Sequence, residues 1–582
     1  MLCFRYLYFV IISSTAFSCL FLPKAAMGNC IPLPNPSSSR CLSKKSKAYP
    51  IDTTFNLPSP LPSWPAGSGF ASGIVDLGGF LVTQITTFRK IWAAYEGGPD
   101  NLGATIFEPS PIPEGFFLLG CHSQPNNKPL FGWVLVGKDN TNDPSAAALE
   151  KPADYTLVWS SQSLKIKQDS PVYIWLPTPS DGYKAVGHII TNSPDKPSLD
   201  EIRCVRSDLT EQCEADGWIW GNNSNGLQIF GSRPVNRGVE AQGVSTGTLI
   251  VETTGNTSAT TITCLKNAKS NLSCMPNLAQ IEALIQAYSP WMYFHPDEEY
   301  LPSTVNWFFT NGSLLYKKGD ESNPITVDPD GSNLPQGGSN DGAYWLDLPI
   351  DESAKERVKK GDLQTSRAYF HIKPMLGATF TDLAIWIFYP FNGPAKAKVG
   401  IIKSISLGKI GEHVGDWEHV TLRISNFNGE LRSVYFSQHS GGQRVDAPEL
   451  EFKNGNKPVA YASLNGHASY SQAGLVLQGS DSIGIRNDAA KSNMVIDTGV
   501  RYEVISADYL SIAEPPWLNY LRKWGPKINY DIDKEIEEVA KVLPGKLKSS
   551  FEKFVKSLPD EILGEEGPTG PKVKTNWYGD EV

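Results

Sequence analysis

Hydrophobic positions along this chain come mostly in short runs bounded by Gly- and Pro-containing turns, which is strand punctuation rather than helix punctuation. From about Gly69 to Thr254 the runs recur loosely. Lead units are Gly69-Phe-Ala-Ser-Gly73, Gly115-Phe-Phe-Leu-Leu-Gly120, Gly182-Tyr-Lys-Ala-Val-Gly187 and Gly226-Leu-Gln-Ile-Phe-Gly231. The last three are each followed by a second apolar run, at Trp133–Val136, Ile202–Val205 and Thr248–Val251. This predicts a domain of repeated small sheets over residues 66–265, β-prism-like or propeller-like, with a sandwich as the alternative. Longer aromatic runs follow at Arg367–Ile372, Leu383–Tyr389, Trp417–Ile424, Ser433–Ser437, Val459–Ser463 and Tyr502–Ile505, and they predict a β-sandwich over 266–530.

Helical spacing is confined to two places. Leu278, Ile281, Leu284 and Ile285 form one stripe behind a capping Asn277. In the tail, 531–582, one stripe is Ile536, Val539, Ala540 and Leu543; another is Leu547, Phe551, Phe554, Val555 and Leu558. Pro544-Gly545 separates them, and an irregular C-terminus follows. The fold class is therefore mainly β: an N-terminal repeated-β domain, a C-terminal β-sandwich and a short helical tail.

Composition agrees. Only 19% of residues are charged and 11% are aromatic, with 51 Gly and 43 Pro, as expected of a folded, turn-rich chain and not of a disordered one. A length of 582 residues implies several domains, and a net charge of -9 argues against nucleic acid as a partner. No Cys pair has CxxC spacing, which disfavours structural zinc. Cys204/Cys213 and Cys264/Cys274 are spaced to close short loops in an oxidising compartment; the alternative is buried free thiols.

Two readings of the N-terminus compete. Tyr6–Leu22 is an apolar stretch after Arg5, with Ala16-Phe17-Ser18 as a cleavage site, so residues 1–26 read as a secretory signal. Sequons at Asn222, Asn256, Asn271 and Asn311 are compatible with that route. Alternatively 1–26 is an upstream extension, and Met27-Gly28-Asn29-Cys30 offers an acylatable Gly28 on the cytoplasmic face, although Pro32 stands where such motifs carry Ser or Thr. In both, residues 27–65 form a Pro/Ser-rich linker.

Chemistry concentrates in Gly411-Glu-His-Val-Gly-Asp-Trp-Glu-His419. On a strand, Asp416 and Glu418 share a face with Val420, Leu422 and Ile424, so two carboxylates point along the buried side. Buried carboxylates need a counter-charge or hydrogen bonds. His413, Asp416 and Glu418 together suit Ca²⁺ or Mg²⁺, or Mn²⁺, better than zinc. His419 falls on the opposite face. His439 and His467, each at a strand end, are the candidates for catalytic proton transfer if the site hydrolyses an ester or glycan. His295-Pro-Asp-Glu298 is a further polar corner. No GxSxG, HExxH or phosphate-loop motif occurs.

Several of these segments carry a family resemblance. Ala104-Thr-Ile-Phe-Glu-Pro109, Ile112-Pro-Glu-Gly-Phe-Phe117, Tyr293-Phe-His-Pro-Asp-Glu298, Tyr344-Trp-Leu-Asp-Leu-Pro349, Gly415-Asp-Trp-Glu-His419, Asn465-Gly-His-Ala468 and Gly567-Pro-Thr-Gly-Pro571 resemble the plant vacuolar protein sorting-associated protein 62 family, over about Phe55 to Asp580. The Pro-Glu-Gly-Phe and Ser180-Asp-Gly-Tyr183 segments also look like parts of bridge-type lipid-transfer proteins. Asp382–Asn392 followed by His413-x-x-Asp-Trp-Glu418 is similar to the core of the necrosis- and ethylene-inducing-peptide-like cytolysins. That likeness implies a β-sandwich with a divalent cation held by His413, Asp416 and Glu418 and used on a glycosphingolipid headgroup. It also implies Asn392 as a neutral substitute for a further acidic ligand, and Gly415 where the cytolysins have a second histidine.

The expectation is a non-enzymatic, membrane-associated trafficking protein that binds a divalent cation and a polar lipid headgroup or glycan. A metal-dependent hydrolase and a purely structural adaptor are the alternatives.

Overall fold

The computed structural model describes residues 51–581 apart from 52, 142, 254–261, 401, 440, 480–482, 528–530, 542, 557 and 559–566. The signal-peptide and acylation readings therefore lie outside the described residues, as does the sequon at Asn256.

In the N-terminal half each repeat is an antiparallel strand pair. Phe117–Leu118 pairs with Val134–Asp139, Tyr183–Lys184 with Cys204–Arg206, and Leu227–Pro234 with Leu249–Thr253. Gly182 and Gly226 take positive φ immediately before their strands and Gly115 does so two residues before its own, which explains why these repeats begin on glycine. The pairs belong to small sheets of three to five strands around separate apolar clusters, one on Phe80, Val82 and Leu135 and another on Trp92, Trp220 and Ile229.

Neither short-loop cysteine pair forms. Cys213 is bonded to Cys264, across 51 residues. Register decides this: Glu211 pairs with Cys264 and Gln212 with Thr263, so the strand pairing brings Cys213 beside Cys264, while Cys204 lies in another sheet. Cys121, Cys204 and Cys274 are buried thiols.

The C-terminal half is built on a six-stranded sheet whose strands are β1 (Ala368–Met375), β2 (Phe380–Asn392), β3 (His413–Ser425), β4 (Leu431–Gln438), β5 (Gly441–Asp446) and β6 (Tyr502–Ala507). Their order is β5-β4-β3-β2-β1-β6, antiparallel except for the parallel β1/β6 pair. One face of the sheet carries Leu383, Ile385, Ile387, Val420 and Leu422. It packs on a second sheet at Met292 and Ala460 and on helix α1 (Leu278–Tyr288) through Ile281, Leu284 and Ile285. Asn277 caps α1 in a reciprocal capping box with Gln280. The other face, with Trp386, Phe388 and Trp417, is covered by the short helix Val305–Thr310 and by Trp517, Trp524 and Trp577. Cover on both faces explains why all 13 residues of β2 are buried.

Both tail stripes are helices, α2 (Ile532–Lys541) and α3 (Gly545–Val555). They bury Ile536, Val539, Phe551 and Val555 against a four-stranded sheet at Val399 and Ile485. Residues 53–65, within the stretch read as linker, are bonded to both halves: Thr54 bridges Leu130, Ser59 N–H donates to Asn456, and Trp64 Nε1 donates to the Asn428 carbonyl at 2.9 Å.

The C-terminal segment Gly567–Glu581 is bound across the sheet. Trp577 stacks on His371 at 3.7 Å between centroids, and Lys373 Nζ donates to the Asn576 carbonyl at 2.8 Å. Asp580 pairs with Arg423 and with Arg237 of the N-terminal half. Glu581, 2% exposed, accepts from His419 Nε2 at 2.6 Å. Burial alone would raise the Glu581 carboxyl; Lys373, His419 and Arg444 outweigh it and hold it well below the usual carboxylate range. A depressed carboxylate contributes stability above its unfolded pKa and loses it as pH falls. Glu581→Gln is expected to destabilise by roughly 3 kcal/mol near neutral pH. In thermal denaturation the gap to the parent should shrink below about pH 4.

Candidate functional site

Asp416 and Glu418 lie on the β3 face that carries Val420 and Leu422, as the alternation requires, and they are 6% and 8% exposed. Strict alternation would put His413 on the other face. It does not, because the phase resets at Gly415. Val414 and Phe391 pack with Trp417 and Phe388 in one cluster, so one residue is skipped in both strands at the Pro390/Gly415 step. Gly415 makes this possible at φ +69°, and a Cβ there would stand 2.6 Å from the Trp524 carbonyl oxygen. His413 and its cross-strand partner Asn392 thereby line the same cavity as Asp416 and Glu418, a space of about 430 Å³ at the end of the sheet. The cytolysin-like second histidine has no room at this position.

Asp416 has an internal counter-charge. His467, fully buried, places Nδ1 3.0 Å from Asp416 Oδ2 and Nε2 3.0 Å from the Tyr300 carbonyl. Both neighbours are acceptors, so both nitrogens must donate and the ring is an imidazolium. It stacks on Tyr389 at 3.8 Å, and Glu298 stands 3.9 Å from Nε2. Left-handed backbone at Asn465 and His467 turns the Asn-Gly-His loop so that the ring reaches under β3. Burial lowers the pKa of His467, but Asp416 and Glu298 outweigh it and push it up to about 9. Burial likewise works to raise Asp416, and the bond to the His467 imidazolium, with the Lys574 charge, holds it below its ordinary value.

Glu418 is less well matched. Its Oε2 accepts from Ser437 Oγ at 2.5 Å. Burial first, and then the Asp416 carboxylate, push its carboxyl up to about 8, against the opposing pull of Lys574 and Ser437. His413 is lowered by burial, and its Nδ1–H donates to the Gly415 carbonyl at 2.8 Å. That bond fixes the tautomer and leaves Nε2 as a lone pair, the arrangement of a ligating histidine. Asn392 Nδ2 donates to the Gly411 carbonyl at 2.6 Å, which leaves its Oδ1 as the available acceptor.

Among the described residues no three His, Cys, Asp or Glu side chains converge tightly enough to form a cage on their own. Two carboxylates and an amide oxygen are donor types that hard cations such as Mg²⁺ and Ca²⁺ take.

The other sequence candidates separate. His439 lines the cavity, with Nε2 3.0 Å from Asn487 Oδ1. His419 is on the far face, stacked on Trp386 and bonded to Glu581. His295 Nδ1 accepts from the Asp297 amide in a turn. Motif reading missed Ser437, Lys396 and Lys574. The last two are surface-type residues in unremarkable contexts, and only the fold brings them to the cavity. Ser437 lies on β4, one residue from its end and two before His439, so its closeness in sequence to a candidate histidine was the available signal.

Fold and site define a mainly β protein with a polar, carboxylate-floored cavity at the end of a doubly covered sheet. The chain belongs to the vacuolar protein sorting-associated protein 62 family, which it matches over residues 51–581. Vacuolar protein sorting-associated protein 62 of Saccharomyces cerevisiae is 31% identical over 113 residues, 17% of this chain and 22% of that protein, so the match spans about a fifth of the curated relative. Solved structures similar to parts of the chain include GNIP1Aa from Chromobacterium piscinae, at 16% identity over 36% of this chain and 40% of that one, TM-score 0.27. Necrosis and Ethylene inducing Protein 2 from the causal agent of cocoa's Witches Broom disease is 13% identical over 32% and 67%, TM-score 0.19. NLPPya, solved in complex with glucosamine, is 14% identical over 39% and 73%, TM-score 0.19.

Gly415→Ala should lower stability by about 2 kcal/mol, because it combines a left-handed φ with a backbone clash. Chemical denaturation checks this; parental stability would remove the phase-reset account of the site.

Proposed function

We propose that this protein is a non-enzymatic, membrane-associated sorting factor. Its C-terminal sandwich holds one divalent cation through Asp416, Glu418 and His413, with Asn392 as an auxiliary oxygen donor, and uses the ion to bind a polar lipid headgroup or glycan. The observation that carries this is the unequal matching of two neighbouring buried carboxylates: Asp416 meets an imidazolium at 3.0 Å, whereas the hydrogen-bond partner of Glu418 is a neutral hydroxyl. A bound cation supplies the missing charge. When bound, it also polarises the oxygens of a hydroxylated or anionic ligand. The chain's own part is to hold His413 in one tautomer and to keep Asp416 ionised. Proton transfer through His467 would break one of its two bonds, which favours binding over hydrolysis.

The membrane link rests on the family's sorting role; among the described residues no helix is long and apolar enough to cross a membrane. The Cys213–Cys264 bond favours passage through the secretory route over acylation at Gly28.

Full-length protein passed through Ca²⁺ or Mg²⁺ and desalted should retain about one ion per chain by elemental analysis, and Asp416→Asn and Glu418→Gln should not. At a hundredfold excess over Kd the ion should stabilise the parent by about 2.7 kcal/mol in thermal shift. Equally negligible metal in all three proteins would overturn the reading. For the compartment, mass spectrometry of the mature N-terminus should find cleavage near Ser18; an acyl group on Gly28 would reverse the assignment.

A further inference from the structure

The cavity has basic walls as well as an acidic floor. Lys396, from the strand Lys396–Val399, and Lys574, from the C-terminal segment, both line it, and among the described residues neither ammonium has an ion pair or a hydrogen bond. Lys396 stands directly opposite Arg486 in the strand pairing, and both side chains face the cavity. Like charges directly opposite one another across a ladder are destabilising. Arg486 is held by Asp488 at 2.8 Å, which leaves the Lys396 charge unanswered.

Charge balance separates this cavity from the larger one, of about 490 Å³, between the two halves of the molecule. There Arg233, Arg237, Arg423, Arg432 and Lys128 each meet a carboxylate, and Arg444 donates to the Glu581 carbonyl, so every one of these cations has a partner. At the site, His467 and the divalent cation of the reading above together offset the carboxylates of Asp416, Glu298 and Glu418, so with the ion bound Lys396 and Lys574 are left over. A divalent cation would leave the cavity with excess positive charge. Amides add hydroxyl-reading capacity: Asn487, 3% exposed, has its Nδ2 buried without a partner at the cavity wall, beside Asn392 and Asn576.

We infer that the ligand of this cavity is a phosphate ester of a polyol, with Lys396 and Lys574 on the phosphate and the cation and asparagines on the hydroxyls. Lysine suits this role as a point charge for phosphate. The inference rests on the cation-site reading above and narrows its ligand from any polar headgroup or glycan to an anionic one. A phospholipid headgroup and a soluble polyol phosphate share this chemistry.

The test uses the full chain with Mg²⁺ or Ca²⁺ present. Soluble probes are myo-inositol monophosphate and, as the neutral counterpart, myo-inositol, read by calorimetry. Phosphatidylcholine vesicles with and without phosphatidylinositol monophosphate are read by co-sedimentation. The phosphate ester should bind at least about tenfold tighter than its neutral counterpart, and Lys396→Gln and Lys574→Gln should each weaken it about tenfold, with Lys574→Arg restoring most of the loss. Binding of the soluble ester assigns a free polyol phosphate; binding of the vesicles alone assigns a lipid. Equal affinity for charged and neutral probes, or full affinity in both lysine variants, overturns the inference. Metal content on the same samples keeps the two readings apart. Retained metal without phosphate preference sinks this inference alone, whereas absent metal sinks the cation reading.

Discussion

Everything at the site follows from a sheet that is covered on both faces. Such a sheet offers no solvent to a charge, so each ionised side chain on it must find a protein partner. The far face meets this demand in a row. Lys373, Asp382 and Arg423 are cross-strand neighbours, and Arg423 also bonds Asp580. The near face is apolar until its end, where Asp416 and Glu418 emerge, and there one of the two is matched less completely. Set against the paired charges of the far face, that incomplete match is informative.

The C-terminal segment links these two solutions. Asn576 and Lys574 wall the cavity on one side, while Glu581 pairs with His419 and Asp580 completes the charged row and reaches Arg237 of the N-terminal half. The cavity is therefore not a feature of the sandwich alone. Its shape depends on a segment that also joins the two halves, which gives the N-terminal module a physical route to the site.

Much of the architecture was legible from periodicity because it depends on local rules. The Gly-led repeats, the capped helix α1, the two tail helices and the face shared by Asp416 and Glu418 are read from spacing alone. Contributions that depend on which strands become neighbours were not legible. Cys213 meets Cys264 through strand register, and no loop-length argument favours it over Cys204. His467 was a candidate for proton transfer because it ends a strand; only the fold shows both of its nitrogens held by acceptors. Gly415 was visible as a departure from the cytolysin-like pattern, but its reason, a phase reset against Trp524, required the packing around it.

The strap at residues 53–65 has a consequence in time. Ser59 bonds Asn456, 397 residues further along, and Trp64 reaches Asn428 across 364. At about 5–20 residues per second, a ribosome takes roughly 20 to 80 s to make the partner that Ser59 requires. During that interval the strap has no native seat on the C-terminal half. Chain growth thus sets a minimum delay before the two halves can be fastened together, and an early folding N-terminal module must tolerate an apolar Trp64 in water until then.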